Sequence, residues 1–236
     1  MVIPTYQIHP ADALRNPKSA LLPDLRSTMF GALEEPTFDM HHQDIHAIQL
    51  SSSVPEAVAI HFETARNLCL YAWFVYRFYM VSEAQALSAL EFGLRERLPS
   101  TLPIKYHKNQ DAPPMLAGML RYVIDQKLVR NEGFRRWHQA AELRAKERET
   151  DETIQMMIEQ NLTSLERDSS RPPKIKPEDQ HWDFVEYLKK GLPSRRNTLA
   201  HGSSMLSRNA LSTLEIVAET LNQLFPVSGT VGNKGA

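Results

Sequence analysis

Residues 192–202, LPSRRNTLAHG, concentrate the side chains that phosphate chemistry requires. An arginine presents a rigid, planar set of donors that can neutralise charge on a pentacoordinate phosphorus. A histidine, whose pKa lies near neutrality, can accept or donate a proton. Cleavage of RNA without a metal needs both functions, because the 2′-hydroxyl must lose a proton while charge on phosphorus is stabilised. The candidate side chains are Arg195, Arg196, Asn197 and His201, with Lys189 and Lys190 just upstream.

The spacing of these residues determines how they can cooperate. On a helix, Asn197 and His201 are four residues apart and share a face. Arg196 lies five residues before His201, so the two side chains splay apart and one chain offers a loose site. A two-fold axis brings the same surface together twice. Two copies related in this way could place two arginines and two histidines around one phosphate.

The segment from Arg196 to His201 resembles the signature of HEPN domains, which is an arginine, a polar residue, three further residues and a histidine. A final amphipathic helix follows the motif, as it does in the RNxxAHG-type branch of that family. The resemblance extends over about residues 56–225. Its other features are residues 182–188, the LP pair at 192–193, the AHG at 200–202 and an early helix at 84–98.

This resemblance implies an HEPN-like helical bundle that dimerises through the motif region and, in active members, a metal-independent endoribonuclease. Arg196 would then stabilise the scissile phosphate, His201 would act as acid or base or in positioning, and Asn197 would orient either. Family members often act as toxins or in phage defence. RNA, such as a tRNA or a structured transcript, is thus the expected substrate, and an antitoxin or regulatory protein an expected partner. The residues expected to bind RNA are Arg195, Lys189 and Lys190.

The same residues have structural interpretations. A His-Gly pair often ends a helix, because glycine readily adopts the left-handed conformation there. Arg196 can pair with a buried carboxylate, for which Glu91 is the candidate, although Arg95 at i+4 is a simpler partner for Glu91. Many members of the family are inactive, which leaves a non-catalytic interaction or nucleotide-binding module as the alternative function. The neutral net charge and the polar stretch at 144–153, a candidate docking arm, favour that alternative.

Proline positions outline the elements that must hold the motif. Proline disrupts helix interiors, and the windows 56–98 and 115–171 contain none. Ser53-Val-Pro-Glu56 and Ser82-Glu-Ala-Gln85 have the capping-box pattern, the second marking a new helix or a kink. Apolar residues at helical spacing predict an all-α bundle of five or six helices. The predicted helices span about 56–81, 82–98, 113–129, 134–165, 178–190 and 205–225.

Three regions differ in character. Residues 1–52 lack long periodicity and are predicted to form an irregular arm, with a candidate strand at 45–50. Residues 53–226 form the helical domain, and residues 227–236 a disordered tail. Within the domain, the stretch RAKERETDET at 144–153 is polar on every face, which predicts a protruding helical hairpin or a long exposed helix.

Composition excludes several classes of protein. The 236 residues are 42% hydrophobic and 23% charged, which is typical of a folded chain. The formal net charge of −1 excludes a polybasic protein that coats nucleic acid. The single cysteine, Cys69, excludes a disulfide scaffold, and with no visible export signal it favours the cytoplasm. The most apolar run, residues 68–81, is too short to span a membrane, so no membrane partner is expected.

One further cluster has the residue types of a metal site. In an extended strand, His42, Asp44 and His46 would share a face and could hold zinc. His41 precedes them, but no second cluster along the chain supports the site. We therefore predict neither a metal nor any other cofactor.

Overall fold

The computed structural model describes residues 10–28, 36–109, 113–165, 171–201 and 206–227. Within these ranges the chain forms α-helices and short 3-10 turns and no strand, which confirms the all-α class. The helices number eight in this described part, because the N-terminal region adds two short ones. They are α1 (Leu25–Thr28), α2 (Phe38–His46), α3 (Glu56–Tyr71), α4 (Phe78–Arg97), α5 (Leu116–Asp125), α6 (Arg135–Glu159), α7 (Phe184–Ala200) and α8 (Ala210–Leu224).

Helix α4 lies at the centre and packs against α3, α5, α7 and α8. Leu87, Leu90 and Leu94 are fully buried on it, and burial of each such side chain contributes about 1.5–3 kcal/mol. Gly93 allows α8 to approach, since a Cβ at this position would overlap the side chain of Leu221. The central position of α4 means that charged residues on it can contact α7.

The first long helix is interrupted at residues 72–77 rather than at Ser82. The N-terminal region satisfies backbone groups at this break. The Asp24 N–H donates to the Trp73 carbonyl (2.9 Å), and the Asp24 carboxylate accepts the Tyr76 N–H (3.4 Å). Ser82 lies inside α4, where its hydroxyl donates to the Ala65 carbonyl (2.8 Å). The prediction of a capping box at Ser82 was therefore wrong, because contacts distant in sequence decide where the helix breaks.

The capping box predicted at Ser53 is also absent. No side chain caps the start of α3, and the hydroxyl of Ser53 instead donates to the carbonyl of Phe225. The strand predicted at 45–50 was wrong as well, because α2 extends to His46. Thr37 caps that helix by accepting the Met40 N–H (3.2 Å).

Helix α7 is longer than predicted and continues through Gly191 and Pro193 to Ala200. A proline inside a helix leaves the carbonyl four residues earlier without its helical partner. Burial of Val185, Leu188 and Leu192 on one face of α7 offsets that cost. As a result, the motif lies on the last two turns of α7, whereas the predicted helices at 178–190 and 205–225 left it between them.

Helix α6 contains the polar stretch at 144–153 and packs against residues 174–182 along one face. Arg148 forms an ion pair with Asp179 (3.0 Å), and Arg144 donates to the Asp179 carbonyl (2.9 Å). Ala141 and Ala145 are buried, so α6 is not polar on every side. The helix ends at Glu159, before the predicted end at residue 165.

Two predicted segments lie partly outside the described residues. The last helix was predicted to begin near residue 205; α8 begins at Ala210, and residues 202–205 lie outside the described ranges. Of the predicted tail, only Val227 is described. Among the helices of the described chain, none combines the length and the apolarity needed to cross a membrane.

Candidate functional site

A cavity of about 560 Å³ lies at the C-terminal end of α7, opposite the N-terminal end of α5. Arg196, Asn197 and His201, the predicted catalytic residues, all line it. Glu91 on α4 lines it as well. The loop before α5 and α5 itself complete the cavity with His107, Lys108, Tyr106, Arg121 and residues 115–118.

The antiparallel packing of α5 and α7 forms this cavity. Lys189, in the first half of α7, pairs with Asp125 at the end of α5 (3.4 Å). The Tyr106 hydroxyl also donates to Asp125 (3.1 Å), which ties the loop to the same point. Gly118 allows the loop to lie against α5, because a Cβ there would overlap the Tyr106 carbonyl. The N-terminal end of α5 and the C-terminal end of α7 border the cavity.

Arg196 holds its charge close to Glu91 at the edge of the cavity. Its Nη2 lies 3.5 Å from Glu91 Oε2, and Arg95 Nη2 lies 2.6 Å from Glu91 Oε1. Both partners suggested by the sequence therefore share this carboxylate. The side chain of Arg196 is 39% exposed and that of Glu91 18%. An ion pair this open contributes about 0–1 kcal/mol, so an incoming phosphate can displace Glu91.

His201 is the C-cap residue of α7 and is exposed. Its backbone N–H donates to the Asn197 carbonyl (3.0 Å), which places the two residues one turn apart on the cavity side. The glycine cap predicted after it falls on Gly202, outside the described residues. The imidazole is accessible to a ligand in the cavity and is supported by the end of a regular helix.

Arg195 points away from the cavity and into the protein. Its guanidinium donates twice to Glu83 of α4, with N···O distances of 2.7 and 2.8 Å. Glu83 is 0% exposed, and it also accepts from Thr213 (3.4 Å). The bond to Glu83 raises the pKa of Arg195. This pair joins α4 to α7 directly beneath the motif, and no sequence pattern predicted a role for Glu83.

The two lysines predicted to bind RNA also lie outside the cavity. Lys189 is held by Glu186 (2.9 Å) and Asp125, and the bond to Glu186 raises its pKa. Lys190 is exposed on the outer face of α7, beside Tyr187 and Ser194. Contact of these lysines and of Arg195 with RNA stays a prediction. The lysine and arginine side chains that line the cavity are Lys108, Arg121 and Arg196.

Of the basic side chains that line the cavity, His107, Lys108 and Arg121 did not follow from the sequence. Lys108 lies in the loop before α5, and Arg121 lies on the exposed side of α5, outside its apolar stripe. No local pattern connects them with the motif, because they are about 80 residues away from it. Only the packing of α5 against α7 brings them together.

The histidine cluster in the N-terminal region forms a helix rather than the expected strand. His42 and His46 stack with ring centroids 5.8 Å apart, whereas His41 is buried and donates to the Cys69 carbonyl (2.9 Å). Among the described residues, no three His, Cys, Asp or Glu side chains are grouped to hold a metal. Cys69 is buried, which raises its pKa to about 12 and makes its thiol a poor nucleophile.

Comparisons with protein-family models, curated proteins and solved structures give no match to this chain. Its function must therefore be inferred from the cavity itself. The cavity combines an accessible imidazole, a guanidinium in a weak ion pair and further cations on the opposite wall. This arrangement suits a ligand that carries phosphate groups.

Proposed function

We propose that this chain is a metal-independent endoribonuclease of HEPN type that cuts RNA in the cavity at the end of α7. One observation carries the proposal: Arg196, Asn197 and His201 line a single cavity. The motif therefore has room for a substrate beside it. The weak ion pair with Glu91 holds the Arg196 guanidinium at the cavity edge, where it can still bind a phosphate.

The residues can perform the following chemistry. His201 accepts the proton of a ribose 2′-hydroxyl, and the 2′-oxygen attacks the adjacent phosphorus. Arg196 stabilises the negative charge of the pentacoordinate intermediate, and the Asn197 amide orients the phosphate or the imidazole. The bond to the 5′-oxygen then breaks, which leaves a 2′,3′-cyclic phosphate and a 5′-hydroxyl. The departing oxygen requires a proton from a second acid.

A homodimer would supply that second acid. A two-fold axis near the end of α7 would place the His201 imidazole of each copy near the same phosphate. The last turn of α7 has surface for such an interface, since Thr198, Ala200 and His201 are exposed there. Light scattering tests this part, and a strict monomer at working concentration contradicts it. The proposed setting is a cytoplasmic toxin or phage-defence effector with an antitoxin or regulatory protein as partner.

RNA cleavage in EDTA tests the proposed function. The wild type should cut RNA, His201→Ala should not, and Arg196→Ala should cut it about 10²–10³ times more slowly. Arg95→Ala is the matched control for Arg196, because both arginines pair with Glu91 and only Arg196 lines the cavity. His42→Ala, an exposed histidine on α2, is the control for His201. A wild type that cuts nothing, or four variants that cut equally, contradicts the proposal.

A second candidate function is nucleotide binding without cleavage. It is favoured by the size of the cavity and by an apolar part of its lining that includes Met115, Leu116 and Pro193. Calorimetric titration with nucleoside monophosphates tests it. Binding that survives His201→Ala, together with no cleavage of RNA, would support this function over the first.

The docking arm considered at 144–153 has less free surface than expected, because Arg144 and Arg148 are engaged with Asp179.

A further inference from the structure

The wall of the cavity opposite α7 carries cations that do not belong to the motif. Lys108 lies in the loop before α5, and Arg121 lies on α5 itself. Both side chains are exposed to the cavity and to solvent. His107 lies beside them, with its ring held by a bond to the Leu102 carbonyl (2.9 Å).

Hydrogen bonds and close packing fix the conformation of this wall. The Tyr106 hydroxyl bonds to Asp125, and the Tyr106 backbone lies against Gly118. Arg121 donates from Nη2 to the Lys105 carbonyl (3.0 Å), which anchors the guanidinium on the loop. A guanidinium has five N–H donors, so this single bond leaves donors for an anion. The cation is thus positioned before any ligand binds.

The charges of the cavity residues that the structure describes do not balance. Lys108, Arg121 and Arg196 supply three permanent positive charges, and Glu91 is the one carboxylate among these described residues. Glu91 is moreover shared with Arg95 outside the cavity. A concave surface with excess charge of one sign concentrates counter-ions of the other. Arg196 and the cations of the opposite wall together can bind more than one phosphate.

We infer that Lys108 and Arg121 form a second phosphate subsite, which binds the RNA phosphate next to the one held by Arg196. The cavity, at about 560 Å³, lies within the range of sites that take nucleotide-sized ligands. The preferred substrate is then an oligonucleotide with a phosphate flanking the scissile linkage, rather than a dinucleotide with one phosphate. This inference rests on the proposed function for the identity of the ligand as RNA.

Binding of a non-cleavable oligonucleotide tests the subsite separately from catalysis. The probe is a fluorescent 2′-O-methyl RNA, compared with the same molecule in which one flanking phosphate is a neutral methylphosphonate. Fluorescence anisotropy with the full chain should show about tenfold weaker binding of the neutral probe, the effect of losing one charge-assisted contact. The double variant Lys108→Gln, Arg121→Gln should bind the charged probe about tenfold more weakly and lose the preference between the probes.

Matched controls are available close to the wall. Lys105→Gln changes a lysine of the same loop whose Nζ lies over the Tyr106 ring and which does not line the cavity. Arg130→Gln changes an exposed arginine beyond the end of α5. Both controls should retain the preference, and thermal melting should show that all variants are folded. The slope of log affinity against log salt should fall by about 0.7 in the double variant for one lost phosphate contact.

The outcomes separate the subsite from the proposed activity. A wild type that does not bind the charged probe, or a double variant that keeps the wild-type preference, overturns the subsite. If the wild type cuts unmodified RNA but binds both probes equally, the subsite fails and the proposed function stands. If the wild type shows the phosphate preference but cuts no RNA, the subsite stands and the nuclease proposal fails.

Discussion

Two arginines that are adjacent in sequence occupy opposite environments. Arg195 binds Glu83 inside the protein, where the glutamate is fully buried and the arginine 21% exposed. Arg196 lies near Glu91 at the cavity, where both groups contact solvent. Successive residues of a helix differ by about 100° in direction, so neighbours on α7 face different surroundings. The same residue types therefore form an interior pair that holds the helix and a cavity pair that remains available to a ligand.

His41 and His201 also differ in their environments, one being buried and the other exposed. His41 is buried, bonds to the Cys69 carbonyl and packs against Trp73 and Tyr79. His201 lies exposed at the end of α7 and lines the cavity. Burial and partner, rather than residue type, separate the structural groups from the candidate catalytic ones.

Loss of the interior pair should have the largest effect on stability. Glu83→Ala or Arg195→Ala leaves a charge without its partner, which for a buried pair reduces the free energy of unfolding by about 3 kcal/mol. Urea denaturation measures this, with Glu91→Ala as the matched control at a change below about 1 kcal/mol. Equal destabilisation at positions 83 and 91 would remove the difference between the two pairs.

Loss of the cavity arginine should affect activity instead. Arg196→Ala should lower kcat for RNA cleavage by about 10²–10³, as does removal of one donor that stabilises a charged transition state. Its free energy of unfolding should change by less than about 1 kcal/mol, because the pair with Glu91 is open to solvent. Activity and denaturation measured on the same preparation check both statements. A variant that loses both properties together would mean that Arg196 is structural.

Removal of Glu91, the acidic partner of Arg196, should have a smaller effect, on the affinity for RNA. Glu91→Gln takes a competing carboxylate away from Arg196 and should tighten binding of a 2′-O-methyl RNA by roughly twofold to fivefold. Anisotropy titration at fixed salt measures the change. Glu96→Gln, which changes an exposed carboxylate further along α4 that does not line the cavity, is the control. Weaker binding by Glu91→Gln would show that the carboxylate positions Arg196 rather than competing for it.

The burial of His41 should make the stability of the protein depend on pH. Burial lowers the pKa of His41 below its usual value of 6.5. The unfolded chain then binds more protons than the folded one as pH falls below 6.5, so stability decreases toward the lowered pKa. His41→Gln keeps a donor for the Cys69 carbonyl and should flatten that part of the stability curve. Urea denaturation of the wild type and the variant at a series of pH values measures this, and an identical curve for His41→Gln would contradict the assignment.

Local patterns in the sequence predicted much of the helical content. The apolar spacing around Leu87 and Leu94 indicated α4, and the spacing around Leu214 and Leu221 indicated α8. The motif and the candidate partner Glu91 also followed from local spacing. The position of the helix interruption did not follow from local spacing, because Asp24, in a distant part of the chain, supports the break at residues 72–77. The continuation of α7 through Pro193 likewise depends on packing against the body.

The rest of the site required the fold. Glu83 lies between Ser82 and Ala84, and no local pattern there indicates a partner arginine more than 100 residues later in the chain. Lys108 and Arg121 face the motif only because α5 and α7 pack in antiparallel orientation. Spacing identifies residues that share a helix face, whereas the membership of a cavity depends on contacts between helices.

The chemistry of the cleavage products tests the central claim most directly. A short RNA is incubated in EDTA with the wild type and with His201→Ala, and the ends are identified by mass spectrometry. Attack by the 2′-oxygen predicts a 2′,3′-cyclic phosphate and a 5′-hydroxyl from the wild type and no product from the variant. Absence of cleavage by the wild type, or products with 3′-hydroxyl ends, would contradict the assignment of the cavity as a ribonuclease site.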